Sequence, residues 1–262
     1  MTDPIAARHL FACQIAREAG AVARTLFENR DILRVEAKET PQDVVSRADR
    51  EVEALVRDRI AASFPDDGIV GEEHDAKSGT SGFTWVIDPI DGTMPFLSGL
   101  PSWCIAIALL QGAQTVAAAT FVPMQDQLFD ARLGGGFRCD GAPVMVSDSL
   151  DLTGAMTAIG ASHRSPAAHV AGVIGRLIGA GGAFYRSGSG ALMLADVAMG
   201  RLAGYYEPHM YAWDCLGGLL MVQEAGGWIE GVDMDQMLAS GGRVLAAAPC
   251  VYDPLRGIID AG

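Results

Sequence analysis

Two fused, layered α/β halves meeting near residue 148 are the fold class this chain predicts, an α+β half over 1–148 and an α/β half over 149–262. Apolar residues recur at helical spacing near the N-terminus. Short apolar segments separated by turn residues then follow one another from residue 104 to residue 139, the pattern of an antiparallel meander. Beyond residue 148 the texture changes to alternating strands and helices rich in glycine and alanine.

Asp3-Pro4 reads as an N-cap followed by proline at the first helical position. Ile5, Leu10, Phe11, Ile15, Val22, Leu26 and Phe27 then extend one apolar face, so the helix runs to about Glu28. Ser46-Arg47-Ala48-Asp49 opens a second helix, with Val52, Leu55, Val56 and Ile60 facing inward. Residues 68–71 and 82–87 read as short strands. Segments 104–110, 115–122, 127–131 and 136–139 form the meander, with a tight turn at Asp140-Gly141. In the second half Ser165-Pro166 starts a helix, 191–198 and 213–225 lie in two more, and 244–248 is a late strand. Pro254 begins a last short helix.

Composition narrows the function. Half of the residues are apolar, enough for a substantial core, yet no apolar run reaches the roughly 18 residues a membrane span needs. The N-terminus lacks a basic start followed by an apolar block, so no secretory leader is expected. Five cysteines (Cys13, Cys104, Cys139, Cys215 and Cys250) are widely spaced in apolar surroundings. They are expected to be reduced, buried thiols in a cytoplasmic protein rather than a disulfide framework or a zinc site. The net charge of −13 argues against non-specific binding to nucleic acid or an anionic membrane. It also opposes an anionic substrate, unless bound divalent cations reverse the sign locally.

The segment Trp85-Val86-Ile87-Asp88-Pro89-Ile90-Asp91-Gly92-Thr93 carries the clearest chemistry. An apolar strand ends in two carboxylates on a turn stiffened by proline. Held close, such carboxylates repel each other and raise each other's pKa unless they share a cation. The Ile90 carbonyl is a candidate neutral ligand, and Gly92-Thr93 offers N–H groups and a hydroxyl for a phosphate oxygen or a water. Magnesium prefers about six oxygen ligands, so further carboxylates must be recruited. Gly71-Glu72-Glu73 follows another strand whose end would lie beside Asp88 if the two strands are parallel neighbours. Asp49 and Asp214 each open a helix, where an acid also suits the helix dipole. Each of these three has an ordinary reading when taken alone, as a solvated loop or a helix start.

Taken together, Lys38, Asp43, Asp49, Gly71-Glu72-Glu73, Asp88-Pro89-Ile90-Asp91-Gly92-Thr93 and Trp213-Asp214 resemble the inositol monophosphatase family from about residue 5 to residue 250. Arg186 to Leu192 resembles its Gly-Ser-Ala-Ala region, Tyr205-Tyr206-Glu207 its Tyr-Tyr-Glu strand end, and Gly135 to Gly141 its glycine-rich hairpin. The resemblance implies an α/β/α/β/α sandwich of the sugar-phosphatase type, with metals between the halves, and a homodimer. It implies that Glu72, Asp88 and the Ile90 carbonyl hold one magnesium and that Asp88, Asp91 and Asp214 hold a second. It further implies that Glu72 steers a third, weakly held ion, that Thr93, supported by Asp49, orients the attacking water, and that Gly92 and Thr93 cradle the phosphate. By the same resemblance Gly188, Ser189, Gly190 and Glu207 would line the substrate pocket, with Asp91 beside the phosphate. The implied reaction is a two-metal hydrolysis of a small phosphate monoester such as inositol 1-phosphate, without a phosphorylated enzyme.

Met94-Pro95, Gly190, Gly217 and Pro208-His209 depart from the family's usual residues, and the first and last of these are expected to reshape the pocket, which bears on substrate choice rather than on hydrolysis. An acidic pocket around Glu207 suits the amine of histidinol phosphate as well as inositol hydroxyls. Bisphosphate substrates fit less well, because Arg186 and Arg201 are the only nearby basic residues. His209 is a candidate general acid that the metal mechanism does not need; His9, His74, His163 and His169 lack partner spacing that suggests a site. A regulatory binding protein that lost catalysis is the rival from another class, and the complete carboxylate set argues against it.

Overall fold

The computed structural model describes residues 3–30, 47–146 and 151–261, with the backbone of 35–37 and 44–46. Lys38, Asp43, the Ser46 side chain and the expected boundary near residue 148 lie outside the described residues. The first half runs α1 (Pro4–Glu28), β1 (Val35–Ala37), β2 (Val44–Ser46), α2 (Arg47–Ser63), β3 (Gly68–Gly71), β4 (Phe83–Asp91), α3 (Thr93–Leu97), β5 (Cys104–Gln111), β6 (Gln114–Val122), β7 (Gln127–Arg132), β8 (Gly136–Cys139) and β9 (Ala142–Val144). The second runs β10 (Met156–Ile159), α4 (Ala167–Gly179), β11 (Ala183–Tyr185), α5 (Gly190–Ala198), β12 (Gly204–Met210), α6 (Ala212–Glu224), β13 (Trp228–Ile229), α7 (Met234–Ser240), β14 (Gly242–Ala247) and α8 (Pro249–Asp260).

Among the described residues, β3 to β9 form a seven-stranded sheet in sequence order, and β11-β10-β12-β14-β13 form a five-stranded one. Side chains alternate across the first sheet as strand geometry requires. Ile105, Ile107 and Leu109 of β5 join the core under α1 and α2, while Ala106, Ala108 and Leu110 join the core shared with α5 and α6. Burial on both faces is why β5 reads as an unbroken apolar run. α4 and α8 pack against each other and against the second sheet. The layers are therefore α1/α2, sheet, α5/α6, sheet, α4/α8: the expected α+β sandwich, with mixed sheets flanked by helices.

The central helices come close because small residues allow it. A Cβ on Gly218 of α6 would lie 2.5 Å from the Leu194 Cβ of α5, and one on Gly217 would meet the Ala118 Cβ of β6 at 3.4 Å. Asp3 caps α1 as expected, accepting from the Ile5 N–H at 3.0 Å, and Asp140-Gly141 turns with both φ values positive. Three expectations change. β4 continues through the Asp88-Pro89-Ile90-Asp91 turn to Asp91 rather than stopping at Ile87, because a bulge against β5 absorbs the proline. The last helix starts at Pro249, leaving Pro254 inside it, where it cannot donate an N–H to the helix. Cys250 is exposed and Cys13 and Cys139 are half-buried, whereas Cys104 and Cys215 are buried; none of the five is in a disulfide. Among the apolar residues between 95 and 103, Pro95, Phe96 and Trp103 are buried within the chain, Leu97 is half-buried, and Leu100 and Pro101 are exposed.

Candidate active site

The end of β4 places the first carboxylates. Asp88 and Asp91 bracket the bulge against β5 and are 2% and 8% exposed. The Ile90 N–H donates to Asp88 Oδ1 at 2.9 Å and fixes the turn. β3 runs parallel to β4 with Gly71 opposite Ile87, so Glu72 emerges beside Asp88, as anticipated for parallel neighbours. Asp214 arrives from the second half in the first turn of α6, where its Oδ2 accepts from the Tyr211 N–H at 3.0 Å. One carboxylate oxygen from each of Asp88, Asp91 and Asp214 lies within 4.8 Å of the others.

Gly92 turns the chain from β4 into α3 with φ of +98°, and a Cβ there would lie 2.9 Å from the Ser102 carbonyl oxygen. No other residue combines that φ with that approach at low cost. The turn aims Thr93 Oγ1 at Asp49 Oδ1 (3.1 Å) and the Ile90 carbonyl (3.2 Å). Asp49 is fully buried in the first turn of α2.

The supporting groups come from further away in sequence. Ser189 caps α5, and its hydroxyl donates to Asp91 Oδ2 at 2.6 Å. The Ala191 N–H donates to the same oxygen at 2.6 Å, and the Gly190 N–H to Oδ1 at 3.2 Å. Ser189 is thus a buried clamp on Asp91 and does not face the cavity. Glu53 of α2, fully buried, accepts from Arg57 Nε at 2.6 Å and from the Glu73 N–H at 2.7 Å, which pins the loop carrying Glu72. Neither residue has a sequence signature that marks it.

A cavity of about 320 Å³ opens over this cluster. Glu72, Asp88, Ile90, Asp91, Gly92, Thr93 and Asp214 line it, together with Gly188, Gly190, Glu207, Arg186 and His163 among others. Tyr205 donates its hydroxyl to Glu207 Oε2. Burial drives the Glu207 carboxyl up to about 7, although the Tyr205 hydrogen bond and Arg186 oppose the shift. Gly160 makes room for it, since a Cβ there would overlap Glu207 Oε2. Met210 fills the space a Cβ on Gly190 would take, its Cε lying 2.4 Å from that position, so the glycine is matched locally.

Three sequence readings are revised here. His163 lines the cavity although its spacing gave no hint of a site. His209 bonds the Ser240 carbonyl at 2.7 Å and is not part of the lining. Arg201 pairs with Asp196 at 2.8 Å, away from the cavity, which leaves Arg186 there.

Electrostatics favour a cation. Burial holds Asp88 and Asp214 well above the usual carboxylate range, and neighbouring Glu72 and Asp91 add to both shifts. Asp91 is also raised by burial, against the opposing pull of the Ser189 hydroxyl and the α5 N–H groups. Buried carboxylates in this arrangement repel one another, and a divalent ion removes that cost. Their all-oxygen donor set suits a hard ion of the magnesium kind.

The sequence model of the inositol monophosphatase family matches residues 7–258. An inositol-1-monophosphatase of Rhizobium meliloti is 34% identical over 226 residues, 84% of each chain. A protein named Nus factor SuhB, from Escherichia coli K12, is 33% identical over 92% of this chain and 91% of its own. Among solved structures, the suhB protein of Bartonella henselae superposes with a TM-score of 0.89 at 29% identity, over 95% of this chain and 96% of that one. A Thermotoga maritima IMPase superposes with a TM-score of 0.85 at 25% identity, over 97% of each chain.

Proposed function

The chain belongs to the inositol monophosphatase family, and we propose that it is a magnesium-dependent hydrolase of small phosphate monoesters, with polyol phosphates of the inositol 1-phosphate type as substrates. The observation that carries this reading is the convergence of Asp88, Asp91 and Asp214, drawn from both halves of the chain, beneath a cavity that also holds Thr93 and Glu72.

In this reading Glu72, Asp88, the Ile90 carbonyl, Asp91 and Asp214 hold two magnesium ions, with Glu72 also serving a weaker third. Bound magnesium supplies a nucleophile at neutral pH and charge stabilisation at the leaving oxygen. The residues of the chain do the positioning. Thr93 spends its single hydroxyl proton on Asp49 or Ile90, so its lone pairs face a water as acceptors and orient it. The Gly92 and Thr93 N–H groups receive phosphate oxygens at the start of α3. Glu207 meets the leaving group's hydroxyls, with Gly188 and Gly190 as the pocket wall. Residues 1–148 thus supply most of the metal ligands, and 149–262 supply Asp214 and the substrate side.

The decisive assay is phosphate release with magnesium from inositol 1-phosphate, histidinol phosphate and 3′-phosphoadenosine 5′-phosphate, compared by kcat/KM. A preference of about 100-fold for the inositol ester, roughly 2.7 kcal/mol of transition-state binding, is expected. The same margin for histidinol phosphate would reassign the substrate. The relatives named Nus factor keep a regulatory role in view. If a cellular role survives Asp91→Asn with hydrolysis gone, that role is the function. The reading also carries a cytoplasmic location and a homodimer, for which light scattering on the same preparation should give twice the chain mass.

A further inference from the structure

We propose that His9, Cys13 and Asp130 form a second metal site, for a zinc-type transition ion, on the α1 side of the seven-stranded sheet. His9 and Cys13 lie four residues apart on α1, so both project from one helix face. Asp130 lies in β7 between Phe129 and Ala131, which point into the core shared with α5 and α6. Strand alternation therefore turns Asp130 the other way, toward α1. A ring nitrogen of His9, the Cys13 sulfur and an Asp130 oxygen all lie within 4.8 Å of one another.

The second observation concerns His9 itself, which is 6% exposed. Its Nε2 lies 3.0 Å from Asp130 Oδ2, yet among the described residues it makes no aligned hydrogen bond. A buried ring nitrogen 3.0 Å from a carboxylate but out of line with it for a hydrogen bond leaves both groups poorly satisfied. An ion between the two satisfies both: tetrahedral zinc with ordinary Zn–N and Zn–O lengths separates such ligands by roughly 3.3 Å.

The donor set selects the ion. One sulfur, one imidazole nitrogen and one carboxylate oxygen suit zinc or its neighbours, not magnesium or calcium, which require oxygen. Binding exchanges the Cys13 S–H bond for a sulfur–metal bond and releases the proton to solvent. A divalent ion with one thiolate and one carboxylate leaves the filled site neutral. Burial and the Asp130 charge push the Cys13 thiol up to about 12, and a cation reverses both effects. Arg138 works against the ion, its Nη1 lying 3.9 Å from Asp130 Oδ2. Arg17 is directed instead to Asp126 at 3.5 Å and Asp140 at 3.1 Å. Cys13 is only half-buried, which leaves solvent the fourth position. Such an ion ties the N-terminal helix to β7 on the sheet face opposite α5 and α6.

The test uses the full chain, with excess magnesium to occupy the oxygen-donor cleft. Cobalt(II) is added, and thiolate-to-cobalt charge transfer is read in the near ultraviolet. The wild type is expected to show the band, to retain one zinc per chain in place of cobalt, and to melt higher with zinc. Cys13→Ser, a one-atom exchange, and His9→Gln should each lose the band and weaken zinc at least tenfold, with magnesium-dependent phosphate release unchanged. Absence of the band in the wild type, or its persistence in Cys13→Ser, overturns the proposal. The second result would place the thiolate elsewhere, with Cys104 beside Asp91 the first suspect.

Discussion

The carboxylates of the cleft are set by residues that never face it. Ser189 holds Asp91 from 98 residues away in sequence, and that distance hid it. The Asp88-Pro89-Ile90-Asp91-Gly92-Thr93 turn could be read because its chemistry is contiguous; a clamp contributed by another helix start could not. Removing the clamp should weaken the ion before the chemistry. Ser189→Ala is expected to raise the magnesium concentration for half-maximal activity by about 10-fold, with kcat recovered at saturating magnesium. An equal loss of kcat at every magnesium concentration would contradict the clamp. Glu207 gives the second prediction at this scale. With its carboxyl raised to about 7, it is mostly protonated on the acid side and a carboxylate on the alkaline side. Selectivity for an amine-bearing ester over a neutral polyol ester should therefore rise as pH increases through 7, and Glu207→Gln should flatten that rise. The sign for stability is the reverse. A buried carboxyl raised above its unfolded value binds its proton more tightly when folded, so its contribution falls as pH climbs from the unfolded value toward 7.

At the scale of elements, the strand ends do most of the positioning. β3 and β4 run parallel, which brings Glu72 beside Asp88, and this was legible because both strands end in acidic residues. The loop after β3 is steadied by Glu53, whose mid-helix place in α2 gave no sign of that role. Glu53 is buried against Arg57, and it also receives the Glu73 N–H. Glu53→Ala leaves the guanidinium without its buried partner, at an expected cost of about 3–5 kcal/mol in urea unfolding. A loss under about 1 kcal/mol, the range of exposed pairs, would mean that the loop does not depend on it. The last helix and the length of β4 escaped the sequence for a related reason. A proline marks a helix start or a strand end only by local propensity, and tertiary packing overrode it at both Pro254 and Pro89.

Across the whole molecule, the cleft exists because α6 packs on the first sheet and also on β13 and β14 of the second. Its first turn carries Asp214 to the end of β4, far away in the chain. Most helices and most strands of the seven-stranded sheet could be read from periodicity, whereas in the second sheet only the strand at 244–248 could, and the stacking around α5 and α6 required the family likeness, since glycine-lined helix contacts leave no periodic trace. The net charge of −13 makes the same demand at this scale as the buried carboxylates do locally: an anionic ester approaches only where cations have reversed the field. Magnesium titration of phosphate release, wild type beside Asp214→Asn, is the most direct test of that claim. The account predicts release by the wild type that disappears with a chelator and returns with magnesium, and a loss of at least about 100-fold in Asp214→Asn. Release that ignores magnesium, or an Asp214→Asn variant as active as the wild type, would contradict it.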